Sequence, residues 1–272
     1  MDNLVFSNML HRPARTVVSV SGIAVGVLLI VFTIGLANGT MRERAKRESN
    51  VGAEIMFRAS GTMGLSGSES FRLPASMAPD LSKAEGVEAV VSLGQNTVST
   101  DDNNTGSRLI DGIYYDEYAK VAALGIIQGR PLSESGNEAI IDTGWQKQKK
   151  YKVGDKLNLY EKDFTIVGTY EPAAGARVKI PLATMQEQLG AEGKVSAFLV
   201  KVKPGFTPEQ VGEKLQQSFP DNQILLTKDL EELYMQGIPA LNVFLNVIIG
   251  VAALISALVI LLTMYTTVTE RT

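Results

Sequence analysis

Two long uncharged blocks dominate the pattern of hydrophobic and polar positions along the chain. No charged residue lies between Arg15 and Arg42, and none lies between Glu232 and Glu270. A membrane-spanning helix needs roughly 20 consecutive apolar residues, so each block is long enough to cross a bilayer. The pattern therefore predicts two transmembrane helices that flank a polar segment of soluble-domain size.

The first block predicts a retained transmembrane helix over residues 16–36. Its apolar core is longer than the roughly 7–15 residues of a cleaved signal peptide, and no typical cleavage site follows it. Gly22 and Gly26 are four residues apart, a spacing that lets membrane helices pack closely. The general abundance of glycine in membrane helices explains the pair equally well.

The flanks of this block predict two further helical segments. Residues 1–15 place apolar side chains on one face and polar side chains on the other, which predicts an amphipathic helix at the cytoplasmic face of the membrane. The charged segment after the span is rich in helix formers. We therefore expect residues 37–50 to extend the span as a helical stalk.

The second block predicts a transmembrane helix over residues 241–265. As one continuous helix, the whole uncharged stretch would be longer than the roughly 30 Å hydrocarbon core. Gly237 and Pro239 mark a break, so residues 231–240 are interpreted as a stalk or kink. Residues 266–272 then begin a segment on the far side of the membrane.

The charges leave the sidedness of the polar segment open. Arg12 and Arg15 precede the first span, but the segment 42–47 after it holds more basic residues. A strict count of Lys and Arg would place the middle domain in the cytoplasm. The same rule is weak for long translocated domains, so the count does not decide.

Between residues 51 and 230, strand-like runs alternate with short helices. Runs rich in β-branched and aromatic residues predict strands, and Thr207 followed by Pro208 is a helix start signal. The fold class is therefore an α+β domain carried by two transmembrane helices. The predicted strands are Ala53–Arg58, Val87–Leu93, Arg108–Ile113, Ala139–Asp142, Leu157–Tyr160, Phe164–Tyr170 and Ala197–Val202. The predicted helices are Pro79–Glu85, Thr143–Tyr151, Leu182–Leu189 and Pro208–Phe219.

Composition excludes several function classes. The chain has 272 residues, no cysteine and one histidine, which excludes disulfides and thiolate sites and disfavours a Ser-His-Asp triad. A net charge of −3 without a basic patch excludes nucleic acid as a partner. No phosphate-binding loop occurs. Asp155, with Asp142 and Glu161, could suggest a metal or acid/base site, but an Asp after Gly and before a strand is usual turn chemistry. We therefore predict no enzyme activity, cofactor or metal site.

Several segments resemble one membrane-protein family. The run Asn8–Gly26 is similar to the amino-terminal signature of MacB/FtsX/LolC-type ABC transporter permeases, and Gly52–Arg58 is similar to the strand that opens their extracytoplasmic domain. The turn Val153–Leu157 and the strand Phe164–Gly168 resemble their inserted subdomain. The end of the chain, Tyr265–Thr272, resembles the place where the second span meets the cytoplasm.

The resemblance implies a topology and a domain organisation. Both termini would be cytoplasmic, and the large domain would lie outside the bacterial plasma (inner) membrane. A membrane-proximal subdomain would comprise residues 51–106 and 195–230, and an inserted subdomain residues 107–194. The family has two further spans, so we expect this chain to be the front part of a longer or split permease.

The resemblance also implies partners. These are an ABC ATPase, a second permease copy or a paired permease, membrane lipid, and an outer-membrane or periplasmic protein. The candidate ATPase-coupling residues are Arg12, Arg15, Glu270 and Arg271. A permease subunit that exports a substrate or transmits force is the first hypothesis. The alternative is a two-span sensor or regulator whose outer domain binds a ligand or protein.

Overall fold

The computed structural model describes residues 13–61, 71–100, 106–230, 232–233, 246–255, 257–258 and 261. The chain divides into two compact units, one formed by Met1–Met41 with Met235–Thr272 and the other by Arg42–Tyr234. Each unit is described by itself.

The first unit is built around the long helix α1, which begins at Pro13 and continues to Ser49 in the second unit. Within the described part of the chain, it is the one helix whose length and composition allow it to cross a membrane. Apolar side chains such as Leu28 and Phe32 are exposed along it, as expected for a helix whose natural surroundings are lipid. Helix α1 includes residues 37–49 of the segment that was predicted to extend the span.

The second predicted span is described only in part. Helix α7, Asn246–Ile255, is apolar but shorter than a membrane-spanning helix. The rest of the predicted span over 241–265 falls largely outside the described residues, as do residues 1–12 and 266–272. The amphipathic helix predicted before α1 and the second span stay predictions.

The second unit is organised around a sheet of ten strands. The sheet order is β12-β1-β11-β3-β4-β9-β6-β8-β5, and β7 pairs with β8. Neighbours are antiparallel except for β4 with β9 and β6 with β8, which are parallel. A separate pair joins β2 and β10. The strands are β1 (Ile55–Ala59), β2 (Leu73–Pro74), β3 (Val87–Thr100), β4 (Gly106–Ile113), β5 (Gly125–Gly129), β6 (Glu138–Asp142), β7 (Lys156–Leu159), β8 (Lys162–Glu171), β9 (Val178–Pro181), β10 (Lys194–Val195), β11 (Ala197–Val202) and β12 (Asn222–Leu226).

Short helices cover both faces of this sheet. The last of them begins at the predicted start signal, where Thr207 and Gln210 bond reciprocally in a capping box. The helices are α2 (Ala78–Ser82), α3 (Tyr115–Ala122), α4 (Thr143–Lys149), α5 (Leu182–Leu189) and α6 (Pro208–Ser218), with 3₁₀ turns at Ala75–Met77 and Thr227–Asp229. The mixed helix and strand class predicted for the middle domain is confirmed.

Three apolar clusters hold the layers together. The first lies under α3 and includes Ala45 from the end of α1, packed with Met56 and Leu199. The second lies on the opposite face of the same strands, under α2 and α6. The third fills the other half of the sheet around Trp145 and Phe164. The end of α1 is thus part of the hydrophobic core of the second unit.

Candidate functional site

A fully buried ion pair marks the junction between β4 and β9. Lys179 Nζ lies 2.8 Å from Asp111 Oδ2, and neither side chain is exposed at all. Charged groups are costly to remove from water unless partners surround them. Such a pair in the interior is therefore an unusual feature that needs a physical explanation.

The parallel register of the two strands brings this pair together. Asp111 of β4 lies opposite Lys179 of β9, and the preceding pair in the register is Ile110 with Val178. Side chains alternate between the faces of a strand, and Ile110 and Val178 both belong to the third apolar cluster. Asp111 and Lys179 consequently point to the opposite face, towards α3.

Aromatic side chains and oxygen atoms enclose the ammonium group of Lys179. It donates to the Tyr118 hydroxyl and to the Ala176 carbonyl, each at 3.3 Å, and lies 4.6 Å and 5.2 Å from the ring centres of Tyr118 and Tyr170. Burial lowers the pKa of Lys179, with Asp111 opposing that effect. Burial also raises the pKa of both tyrosines, so their hydroxyls stay protonated.

The Asp111 carboxylate accepts hydrogen bonds from two further elements. Gln95 Nε2 of β3 donates to Asp111 Oδ1 at 3.1 Å, and the backbone N–H of Ala176 donates to Asp111 Oδ2 at 2.8 Å. Gln95 in turn accepts a bond from the buried Arg58 of β1 at 3.1 Å. The network therefore crosses the sheet from β9 to β1.

The loop of residues 172–177 connects this network to the end of α1. Arg47 Nε donates to the Gly175 carbonyl at 2.9 Å, and the Gly175 N–H donates to the Arg47 carbonyl at 2.7 Å. Asn50 also donates to the Ala173 carbonyl at 3.4 Å, and Arg177 forms an ion pair with Glu43. The helix end and the loop are bonded through both main chain and side chains.

Gly175 makes this close approach sterically feasible. Its φ is +58°, a left-handed conformation that favours glycine, and a Cβ there would lie 2.3 Å from Asp111 Oδ2. The same Cβ would lie 3.1 Å from Lys179 Nζ. Glycine is therefore the residue that fits between the helix end and the buried pair.

A second ion pair joins Arg47 to the end of strand β6. Arg47 NH2 lies 3.3 Å from Asp142 Oδ2, and both side chains are largely buried. Asp142 is also the N-cap of α4, where its Oδ1 accepts a bond from the Trp145 N–H at 2.9 Å. One carboxylate thus fixes both the end of α1 and the start of α4.

This arrangement joins the end of α1 to β4, β6 and β9 through paired charges and hydrogen bonds. The charges of Arg47, Asp111, Asp142 and Lys179 are paired with one another in the interior. Within the described ranges, no group of three or more His, Cys, Asp or Glu side chains could hold a metal ion. We define Arg47, Asp142, Gly175, Lys179 and Asp111 as the anchor network.

The anchor network includes none of the site residues that were predicted from sequence. Gly22 and Gly26 are in α1, and apart from the nearby backbone of that helix, no atom of the described residues lies within 4 Å of a Cβ placed on either. Arg15 is in the first turn of α1, but its side chain is outside the described part. Arg12, Glu270 and Arg271 lie outside the described residues.

Sequence reasoning missed the anchor network, although a signal for it exists. Asp111 stands in the run Leu109–Ile113 and Lys179 in the run Val178–Pro181, where the neighbouring positions are almost all apolar. A lone charge inside a buried strand needs a partner of opposite sign. The two residues could have been paired on this ground, whereas the role of Arg47 depends on tertiary contacts.

Comparison with known proteins places the chain among transporter proteins. A family model described as the MacB-like periplasmic core domain matches residues 16–218. An uncharacterized ABC transporter permease of Methanocaldococcus jannaschii is 23% identical over 293 residues, which cover 98% of this chain and 71% of that protein.

Two solved structures are also similar. The periplasmic region of MacB from Actinobacillus actinomycetemcomitans gives a TM-score of 0.48 at 17% identity, covering 66% of this chain and 93% of that one. The extracellular domain of the ABC-type transporter YknZ from Gram-positive bacteria gives 0.47 at 14% identity, covering 64% and 98%. The family model alone covers most of the chain, and the chain therefore belongs to the MacB-like ABC transporter permease family.

Proposed function

We propose that this chain is a permease subunit in which a partner ABC ATPase moves the periplasmic domain through helix α1. The observation that carries the proposal is the continuity of α1 from Pro13 to Ser49, together with the bonding of its last turns into the sheet by Arg47. A helix that ended in a loose linker would not transmit displacement to the domain.

The anchor network gives this helix end a direct path into the sheet. Arg47 contacts Gly175 and Asp142, and the loop that contains Gly175 bonds to Asp111 through Ala176. Interiors are close-packed and transmit strain. A shift or rotation of α1 would therefore act on β4, β6 and β9 together.

The ATPase is assigned to a separate subunit or domain because the sequence has no phosphate-binding loop of its own. We propose cytoplasmic termini, a second span over residues 241–265, and ATPase contacts at Arg12, Arg15, Glu270 and Arg271. Gly22 and Gly26 are proposed packing positions for another membrane helix. We further propose that the chain forms a homodimer or pairs with another permease in the plasma (inner) membrane. Its extracytoplasmic domain would consist of two subdomains.

Export and force transmission are both compatible with this mechanism, and no residue pattern selects a substrate. An outer-membrane or periplasmic protein is the proposed recipient of the movement. The sensor alternative is not favoured, because the matching relative is named as a permease. A sensor would also bind no ATPase.

The test uses a fluorescent reporter next to the anchor network. The chain has no cysteine, so a single fluorophore can be attached at Lys147→Cys, an exposed position on α4, before the complex with the ATPase is assembled. We expect ATP to change the emission in the otherwise wild-type complex and in an Arg72→Met control, whose side chain is exposed. Arg47→Met should abolish the change.

Two results would contradict the proposed function. One is the absence of any ATP-dependent change in the wild-type complex that retains the ATPase. The other is ATP hydrolysis by the purified chain alone, which would place the catalytic site in this polypeptide.

A further inference from the structure

The basic segment at the end of α1 separates into two groups. Arg47 is buried with Asp142, and Arg44 pairs with Glu48 at 3.3 Å. The two remaining cations of the segment, Arg42 and Lys46, are exposed, and neither forms an ion pair with another residue that the structure describes. Only part of this segment is therefore used to hold the domain.

Arg42 and Lys46 occupy the same face of the helix. They are four residues apart, which brings their side chains next to each other. Arg47 and Glu48, which lie on the other side of the helix, are buried in the domain. The pair thus faces away from the core that receives the end of α1.

The length of the uncharged part of α1 gives the height of this pair above the bilayer centre. Residues 16–41 of a continuous helix span about 39 Å at about 1.5 Å per residue. The hydrocarbon core is about 30 Å thick, and the bilayer with its headgroups about 40–45 Å. When Arg15 lies in one headgroup layer, Arg42 and Lys46 lie in or beside the other.

We propose that Arg42 and Lys46 bind the phosphate groups of anionic lipids in the periplasmic leaflet. A guanidinium group can bond to two phosphate oxygens at once, and the neighbouring ammonium adds a second point charge. This inference rests on the proposed function only in taking α1 as the first span. The two cations would hold the end of α1 at a fixed depth while Arg47 holds the domain.

This role explains why positive charge follows the first span on its periplasmic side. Arg44 and Arg47 are neutralised by carboxylates of the chain itself. Arg42 and Lys46 are exposed at the level where lipid phosphates supply the opposite charge. A count of Lys and Arg, as used to judge which side of the membrane a segment occupies, gives all four of these residues equal weight.

The experiment measures stabilisation of the detergent-solubilised full chain by added lipid. Thermal unfolding is followed by the emission of Trp145, the single tryptophan, during titration with phosphatidylglycerol or phosphatidylcholine. The test variant is Arg42→Gln with Lys46→Gln. The matched control is Lys147→Gln with Lys149→Gln, which removes two exposed lysines from α4.

Phosphatidylglycerol should raise the midpoint temperature of the wild type and of the control, and phosphatidylcholine should not. Each cation near an anionic surface contributes roughly five-fold in affinity, so the test variant should need at least about five-fold more phosphatidylglycerol for the same shift. An equal response of test variant and wild type overturns the proposal. An equal response of the wild type to soluble glycerol phosphate also overturns it, since the site would then bind free phosphate.

A second measurement tests the depth directly. A spin label on Thr40→Cys, an exposed position just before Arg42, should lie at headgroup depth when the chain is in vesicles. A label in free water would overturn the proposal even if lipid stabilises the protein. Both experiments are done without an ATPase. A negative result for lipid binding can therefore be distinguished from a negative result for ATP coupling.

Discussion

At the scale of single residues, an enclosed lysine carries a desolvation cost that its neighbours must offset. Lys179 has no contact with water, and its ammonium group is surrounded by Asp111, the Tyr118 hydroxyl and the Ala176 carbonyl. Removing any one of these groups leaves the ammonium group with fewer partners where water does not reach it. The network therefore tolerates little change at any of its members.

A substitution at Gly175 tests how closely the loop must pack against the buried ion pair. We expect Gly175→Ala to destabilise the domain by at least about 2 kcal/mol more than Gly190→Ala, because a Cβ at position 175 overlaps Asp111 Oδ2. Gly190 is a matched control, since its φ is also +58° and a Cβ there would meet no atom within 4 Å. Urea unfolding, monitored by Trp145 fluorescence, measures the unfolding free energy of both variants. Equal losses would show that the loop can move away from the buried pair.

The buried pair itself is tested by a double-mutant cycle. Lys179→Met leaves the Asp111 carboxylate buried without its cation and should cost about 3–5 kcal/mol of unfolding free energy. Asp111→Asn leaves the ammonium group without a counter-charge. The double variant should lose at least about 1 kcal/mol less than the sum of the two single losses, because it leaves no unpaired charge. Strict additivity would mean that the two residues act independently.

The residues of the anchor network were only partly predictable, for a physical reason. Asp142 was correctly placed at the end of a strand and before a helix, because a side-chain cap is a local interaction. Its second partner, Arg47, is distant in sequence, and nothing near either residue specifies the pairing. Asp111 and Lys179 meet only because β4 and β9 are parallel neighbours, which is a property of the sheet order.

At the scale of elements, the helices and strands with strong local signals were predicted well. Leu182–Leu189 and Ala197–Val202 have the predicted bounds, since periodic apolar positions and adjacent turn residues define both. Helix α3 and strands β2, β5, β9, β10 and β12 were missed. Strand β5 is largely exposed and is flanked by Gly125 and Gly129, so it lacks the hydrophobic pattern that identifies a buried strand.

Helix α1 is the element whose anchoring matters most. Arg47→Met removes the hydrogen bond to Gly175 and the ion pair with Asp142, and should cost about 3 kcal/mol of domain stability. Arg72→Met changes an exposed arginine and should stay within about 0.5 kcal/mol of the wild type. Chemical unfolding of the detergent-solubilised chain, read by Trp145 emission, measures the difference. Similar values for the two variants would contradict the anchoring role.

At the scale of the whole molecule, the sequence indicated the main division of the chain but not where the domain begins. The charge-free blocks separate the apolar segments from the polar segment, as the two compact units do. The predicted domain starts at residue 51, whereas the compact unit starts at Arg42. The difference arises because a charged helical segment looks like an exposed stalk in sequence, and its burial depends on contacts with distant strands.

This boundary gives a prediction about the isolated domain. A fragment of residues 42–234 should fold as a cooperative unit, since it contains all three apolar clusters and the whole anchor network. A fragment of residues 51–234 loses the buried Ala45 and the bonds of Arg47, and should be less stable by at least about 3 kcal/mol. Urea unfolding of both fragments, read by Trp145 fluorescence and by circular dichroism, provides the comparison. If the shorter fragment were equally stable, the end of α1 would be a passive linker and the domain would begin after it. A loss in the shorter fragment, reproduced by Arg47→Met in the longer one, would show that the last turns of α1 are part of the domain that it is proposed to move.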